Sequence, residues 1–193
     1  IEENHGKAYI AKTSEEALRI IGEITGTGKL IVKGKSMTGE EIALREYLEE
    51  KGNEVYETDL GEFIMQKLGS RPMHITSPAI HVPREDVAKL FSKVMSKDIP
   101  ADASIGEMVA AAREYLRDKF FRADIGISGA NVVAADTGTL FIIENEGNIR
   151  LATGAPAVHI ALIGMEKLVP SLNDAFKVTE VTWRYANYTV PSY

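Results

Sequence analysis

The chain contains no cysteine. That excludes disulfides, and it excludes a zinc or iron–sulfur centre held by thiolates of these residues. Histidine is scarce: there are four, and none stand at a metal-ligand spacing such as HxxxH. His74 and His81 are set apart by a strand and a turn, so no metal site is expected. A surplus of basic residues is missing as well, since the formal net charge is -6. Sequence-independent nucleic-acid binding relies on such a surplus, so a nucleic-acid partner is not expected. No apolar run approaches the roughly 20 residues that cross a bilayer, and no secretory signal is visible. No GxGxxG follows the first predicted strand, and no Walker spacing occurs. These absences fit a cytoplasmic protein without a membrane span.

The composition that remains is globular. With 193 residues, 45% hydrophobic and 26% charged, the chain can bury the core of one domain. Its first half alternates helix and strand. Thr13 and Glu16 make a capping-box pattern ahead of a helix with Ala17, Leu18, Ile21 and Ile24 on one face. A short strand, Lys29–Lys33, follows. Thr38 and Glu41 make a second capping box, and the helix continues over Ile42–Lys51 to Gly52. A strand at Glu54–Thr58, a helix at Leu60–Leu68 and a third strand at His74–Ser77 come next. Val87, Leu90, Phe91 and Val94 place a helix over Arg84–Met95, and Ser104 with Glu107 caps another. This rhythm implies parallel strands with flanking helices.

The second half departs from that rhythm. Apolar strand-like runs lie at Ile125–Ser128, Thr139–Ile143 and Val158–Met165. Thr139–Ile143 and Ile149–Ala152 flank a Glu-Gly-Asn turn, which suggests an antiparallel hairpin. The expected architecture is α/β, with a mixed, mainly parallel sheet. The end of the chain, with Trp183, Tyr185, Tyr188 and Tyr193, reads as part of a longer element or as a segment that docks on another chain.

Unusual polar chemistry concentrates in loops at predicted strand ends, where α/β folds place ligands. Lys35 and Ser36 follow the first strand and open a helix, a setting that favours an anion but also suits a plain N-cap. Asp59 reads as the cap of the helix at Leu60, and the helix dipole explains Glu62. His81 follows a strand end and could exchange protons near neutral pH. His159 sits in an apolar run, where a hydrogen-bonded structural histidine is the commoner event. Glu144, Asn145, Glu146, Asn148 and Arg150 form the densest polar cluster. Arg150 could fork onto a substrate carboxylate or pair with Glu144. The expectation is one cleft lined by Lys35, His81, Asn131, Thr137, Glu146 and Arg150. Ser36, Asn145 and Asn148 add hydrogen bonds to substrate, and His81 or Glu146 takes the proton.

Six ordered blocks carry a family likeness: KSMTGEEIAL, ETDLGEFIMQ, HITSPAIH, ADIGISGAN, DTGTLFIIENEGNIRL and VHIALIGMEKLVP. Together they resemble the LUD domain of lactate-utilisation proteins, and most closely its iron–sulfur members. The resemblance runs over roughly residues 29 to 172. It implies a NagB/RpiA/CoA-transferase-like fold over 1–193. It also implies a part in oxidising L-lactate, or a similar 2-hydroxy acid, to the keto acid. The iron–sulfur members carry Cys-rich ferredoxin-type segments after this domain. Clusters are therefore expected only in a missing C-terminal region or a partner subunit, and the chain reads as truncated. Implied partners are a small carboxylate and other lactate-utilisation subunits. A homo-oligomer is left open, as is whether the chain is itself an enzyme or a subunit of an oxidoreductase. Two alternatives stand beside this reading. One is acyl transfer, with Glu144 or Glu146 as the nucleophile of a CoA-transferase-like turn. The other is a scaffold that only docks partner subunits.

Overall fold

A computed structural model describes residues 1–74 and 77–185 of the chain. Its main sheet has four strands: β1 (Leu30–Lys33), β2 (Glu54–Glu57), β3 (Ile125–Ser128) and β6 (Val158–Ala161). They lie in the order β2-β1-β3-β6, and every pair is parallel. Period-two alternation divides the two faces. Leu30, Val32 and Tyr56 point to one core with Phe63, Phe91, Met108, Leu116 and Phe120. Those partners come from α4 (Leu60–Leu68), α5 (Arg84–Met95) and α6 (Ile105–Arg122). Ile31, Val55, Ile125 and Ile127 point the other way, against Ile21, Leu44 and Leu48 of α1 (Ser14–Thr25) and α3 (Leu44–Glu50). A sheet covered on both faces needs strands that are apolar almost throughout, and all four residues of β1 and of β3 are buried.

The chain leaves β1 for β2 on one side and returns to β3 on the other. Strand order therefore reverses between β1 and β3. A crevice opens outside their carboxyl ends at such a point.

Antiparallel pairing is present, but in a second sheet. β4 (Val132–Ala134) pairs antiparallel with β5 (Thr139–Phe141) and parallel with β7 (Leu168–Val169). Gly138, at φ 67°, closes the β4–β5 turn in the left-handed region. Val132 and Ala134 pack on Ala175 of α8 (Leu172–Tyr185). The aromatic end is thus a helix as far as Tyr185, and Ala186–Tyr193 lie outside the described residues.

Two expectations are corrected. Ile149–Ala152 is not the second strand of a hairpin but part of helix α7 (Asn148–Gly154). Ile149, Ala152 and Thr153 share a helical face, and Ala152 is fully buried. The helix lies so close to β3 that a Cβ on Gly126 would stand 1.7 Å from the Ala152 carbonyl oxygen. The second correction concerns the helix after β1. It is broken into α2 (Met37–Glu41) and α3 by Ala43, whose φ is 52°. Ser36, not Thr38, caps α2 by accepting from the Gly39 N–H at 3.2 Å. The expected third strand, His74–Ser77, includes Ile75 and Thr76, which lie outside the described residues.

Gly126→Ala should therefore destabilise the fold by at least about 1–3 kcal/mol, the usual cost of overpacking. Gly154→Ala, where no atom lies within 4 Å of the added Cβ, should stay within about 0.5 kcal/mol of wild type. Urea unfolding of the two variants measures the difference. Equal midpoints would contradict the close packing of α7 on β3.

Candidate functional site

β1 and β2 end side by side, with Lys33 opposite Glu57 in register. Both side chains lie on the α3 face and both are buried. Lys33 Nζ donates to Glu57 Oε1 at 2.9 Å and Oε2 at 3.0 Å. Arg45 of α3 brings its Nε to 3.7 Å from the same carboxylate. Burial pushes the Glu57 carboxyl up, and the Lys33 ammonium opposes that shift. Thr58 closes the strand end by donating its hydroxyl to the Lys33 carbonyl at 3.0 Å.

The crevice lies directly beyond this pair. The Gly34 N–H donates to the Ile127 carbonyl at 2.8 Å, which joins the end of β1 to β3. Ser36 is buried as the α2 cap, and a Cβ on Gly129 would stand 3.1 Å from its Oγ. Only a glycine lets the end of β3 approach this cap without displacing it. Lys35, between these two joints, extends its Nζ to 3.7 Å from Glu62 Oε1.

Glu62 belongs to the first turn of α4, where the helix dipole favours a carboxylate. Its pKa nevertheless rises to about 7. Burial is the main cause, followed by the facing carboxyl of Glu40 and by Glu57; Lys35 only partly offsets them. Among the described residues, the buried Oε1 atoms of Glu40 and Glu62 have no hydrogen-bond partner. Glu146 approaches from the loop before α7. Its pKa is also raised, by partial burial and by Asp59 and Glu144, against the pull of Lys35. Glu40 of α2 and Glu57 of β2 thus act on Glu62 of α4, and Glu62 and Glu146 share Lys35.

The expected site residues do not all stand together. Lys35, Ser36 and Glu146 gather at the crevice, and Asn145 and Asn148 flank Glu146 on the same loop. Arg150 joins through Glu144, with its Nε 3.3 Å from Oε1 and its backbone N–H donating to Oε2 at 3.1 Å. The Arg150 side chain is 85% exposed. It borders a cavity of about 460 Å³ walled by Ile143, Ile149, Thr179 and Trp183. Asn131 serves the backbone, its Oδ1 accepting from the Ile143 N–H at 2.7 Å. Thr137 sits at the opposite end of the β4–β5 hairpin, exposed and bonded to the Thr139 hydroxyl at 2.8 Å. His81 is exposed on the α4–α5 connection, whose Pro78 lies against Gly61.

Lys33, Glu57, Glu40 and Glu62 were not singled out as site residues from the sequence. One signal was available. A Lys closing an apolar strand run and a Glu closing the next are the marks of parallel neighbours that end in a buried pair. His159 is exposed on β6, and its Nε2 lies 2.7 Å from the Oγ of the fully buried Ser128. Partial burial lowers its pKa. Among the described residues, no group of three or more His, Asp or Glu could hold a metal ion. No described helix is long and apolar enough to cross a membrane.

The raised Glu62 pKa fixes the sign of a pH effect. An unfolded glutamate titrates near roughly 4.3, below the folded value of about 7. The native state holds a proton that the unfolded chain has lost. The resulting stability is full below the unfolded pKa and disappears as pH rises through the folded one. Glu57 and Glu146 share this sign. Glu62→Gln should reduce the loss of stability between about pH 5 and about pH 8 by on the order of 2–3 kcal/mol. Urea melts at both pH values provide the test, and identical losses in variant and wild type would contradict it.

The family model of the LUD domain matches residues 1–193. Lactate utilization protein B 1 of Bacillus mycoides (strain KBAB4) is 44% identical over 174 residues, 89% of this chain and 36% of that protein. Lactate utilization protein B of Bacillus subtilis (strain 168) is 45% identical over 172 residues, 88% of this chain and 36% of that protein. Its namesake from Shouchella clausii (strain KSM-K16) is 42% identical over 174 residues, with shares of 89% and 36%. The chain thus spans about a third of the length of these relatives. No solved structure matches it.

Proposed function

The chain belongs to the LUD domain family, and from that premise we propose that it serves lactate utilisation by binding a small carboxylate. The substrate would be L-lactate or a similar 2-hydroxy acid, oxidised to the keto acid by the assembly in which the domain works. The observation that carries this reading is the 44–45% identity to proteins named for lactate utilisation, over most of the chain.

The site geometry supports the same reading. A carboxylate substrate needs a cation at a strand edge. Lys35 supplies one at the point where strand order reverses. Arg150 supplies a second, once released from Glu144. Oxidation of a 2-hydroxy acid removes two electrons and two protons. Burial and neighbouring carboxyls raise the pKa of Glu146, which makes its carboxylate a better proton acceptor than an ordinary one. His81, the other proton acceptor proposed here, is exposed on the α4–α5 connection, whose Pro78 lies against Gly61. The two electrons need an acceptor. Iron–sulfur clusters need thiolate ligands, and there is no cysteine here to provide them. Clusters would belong to other parts of a longer chain or to a partner subunit, and no step is routed through them here.

Acyl transfer asks for an ionised, accessible glutamate as nucleophile. Glu144 is tied to Arg150 through two contacts, which counts against it as that nucleophile.

Calorimetric titration with L-lactate and pyruvate should show saturable binding. Lys35→Ala and Arg150→Ala should each weaken it by about 1.5–3 kcal/mol, the range for a hydrogen bond to a charged group. Melting curves of the same variants separate lost affinity from lost stability. Wild-type protein that binds neither acid would overturn the reading.

A further inference from the structure

We propose that Glu62, buried against Glu40, is the proton-exchange group for a small carboxylate seated on Lys35. The inference rests on the carboxylate reading above and adds to it which group takes up the proton.

The argument begins with burial. Glu62 is 5% exposed, deep enough that an unpaired charge there is costly. Among the described residues its Oε1 has no hydrogen-bond partner, and neither has the buried Oε1 of Glu40. Like charges at short range repel strongly in a low-dielectric setting, so the Glu40 carboxyl disfavours ionised Glu62. A proton on Glu62 removes one charge and supplies a donor for the facing carboxyl.

The surroundings decide when that proton leaves. Glu40 faces Glu62 from α2, and Glu57 acts on it from β2. Glu57 already has its own cations, Lys33 and Arg45. Asp59 caps the helix that carries Glu62. Glu144 and Glu146 lie beyond, on the α7 loop, and Glu146 also draws on Lys35. Lys35, at 3.7 Å, is the cation paired with Glu62 itself. An anionic ligand that takes the Lys35 ammonium removes the charge that favours ionised Glu62. The protonated form then gains, and ligand and proton enter together as a neutral pair. No bond to carbon is made or broken in this step. A proton moves from solvent to a carboxylate oxygen, and it returns when the ligand leaves.

Calorimetric titration with pyruvate as the probe tests this. It should run from about pH 5.5 to about pH 8.5, in two buffers of different ionisation enthalpy. For wild type, the heat should differ between buffers by an amount that corresponds to proton uptake. Affinity should be flat at acid pH and fall towards tenfold per pH unit above about 7. Glu62→Gln, neutral at every pH, should keep the acid-pH affinity throughout and take up no proton. Glu40→Gln should move the wild-type midpoint to lower pH. Wild-type affinity independent of pH would overturn the inference and leave the carboxylate reading standing. A Glu62→Gln variant that keeps the wild-type pH slope would do the same. Absence of pyruvate binding at any pH would overturn both. The buffer comparison on wild type decides the matter even if a variant does not fold.

Discussion

The buried ion pair between Lys33 and Glu57 is the constraint on which the rest of the structure turns. It occupies the last register position of β1 and β2, with a donor–acceptor distance of 2.9 Å. Two charges in that position are expensive to desolvate, and replacing such a pair with apolar side chains is often neutral or stabilising. Its presence is therefore poorly explained by stability alone. What it does is end two apolar strands with groups that must be matched, and so fix where the strand edge lies. Everything chemical follows within a few residues: Lys35 and Ser36 after β1, Thr58, Asp59 and Glu62 after β2.

A second consequence is electrostatic. Carboxyls from four elements are held near each other against a small number of cations. Glu57 takes Lys33 and part of Arg45. Glu62 and Glu146 are left to divide Lys35. A cluster so arranged is under-neutralised. It is held in place by the parallel sheet and its covering helices, whose two apolar cores sit on either side. That separation of roles, rigid layers behind and unsatisfied charge at the edge, is what an α/β domain offers a ligand.

Much of this was legible in the sequence. The helices Leu60–Leu68 and Arg84–Met95 have the expected bounds, because the apolar periodicity is clear in both, with Asp59 capping the first and Pro83 opening the second. The Asp59 and Ser104 caps are present for the same reason. Ile149–Ala152 was misread because four residues after a Gly-containing turn fit a strand as well as a helix. Only the bare backbone of Gly126, many residues earlier, shows that a helix packs there. Glu62 was read correctly as a first-turn residue and wrongly as fully explained by that. The helix dipole is a local effect visible in sequence, whereas the approach of Glu40 from α2 is a tertiary contact that the sequence of α4 does not show. Thr137 and Asn131 look equivalent as polar turn residues, yet the β4–β5 hairpin puts them at opposite ends.

The central claim is that the strand edge holds a carboxyl that keeps its proton near neutral pH. Carbon-detected magnetic resonance of the Glu62 side-chain carboxyl, followed as pH is varied, tests it most directly. A titration midpoint near the folded value of about 7, moving to lower pH when Glu40 is replaced by Gln, is the result this account predicts. A midpoint at the ordinary glutamate value of roughly 4.3, unmoved by that replacement, would contradict it.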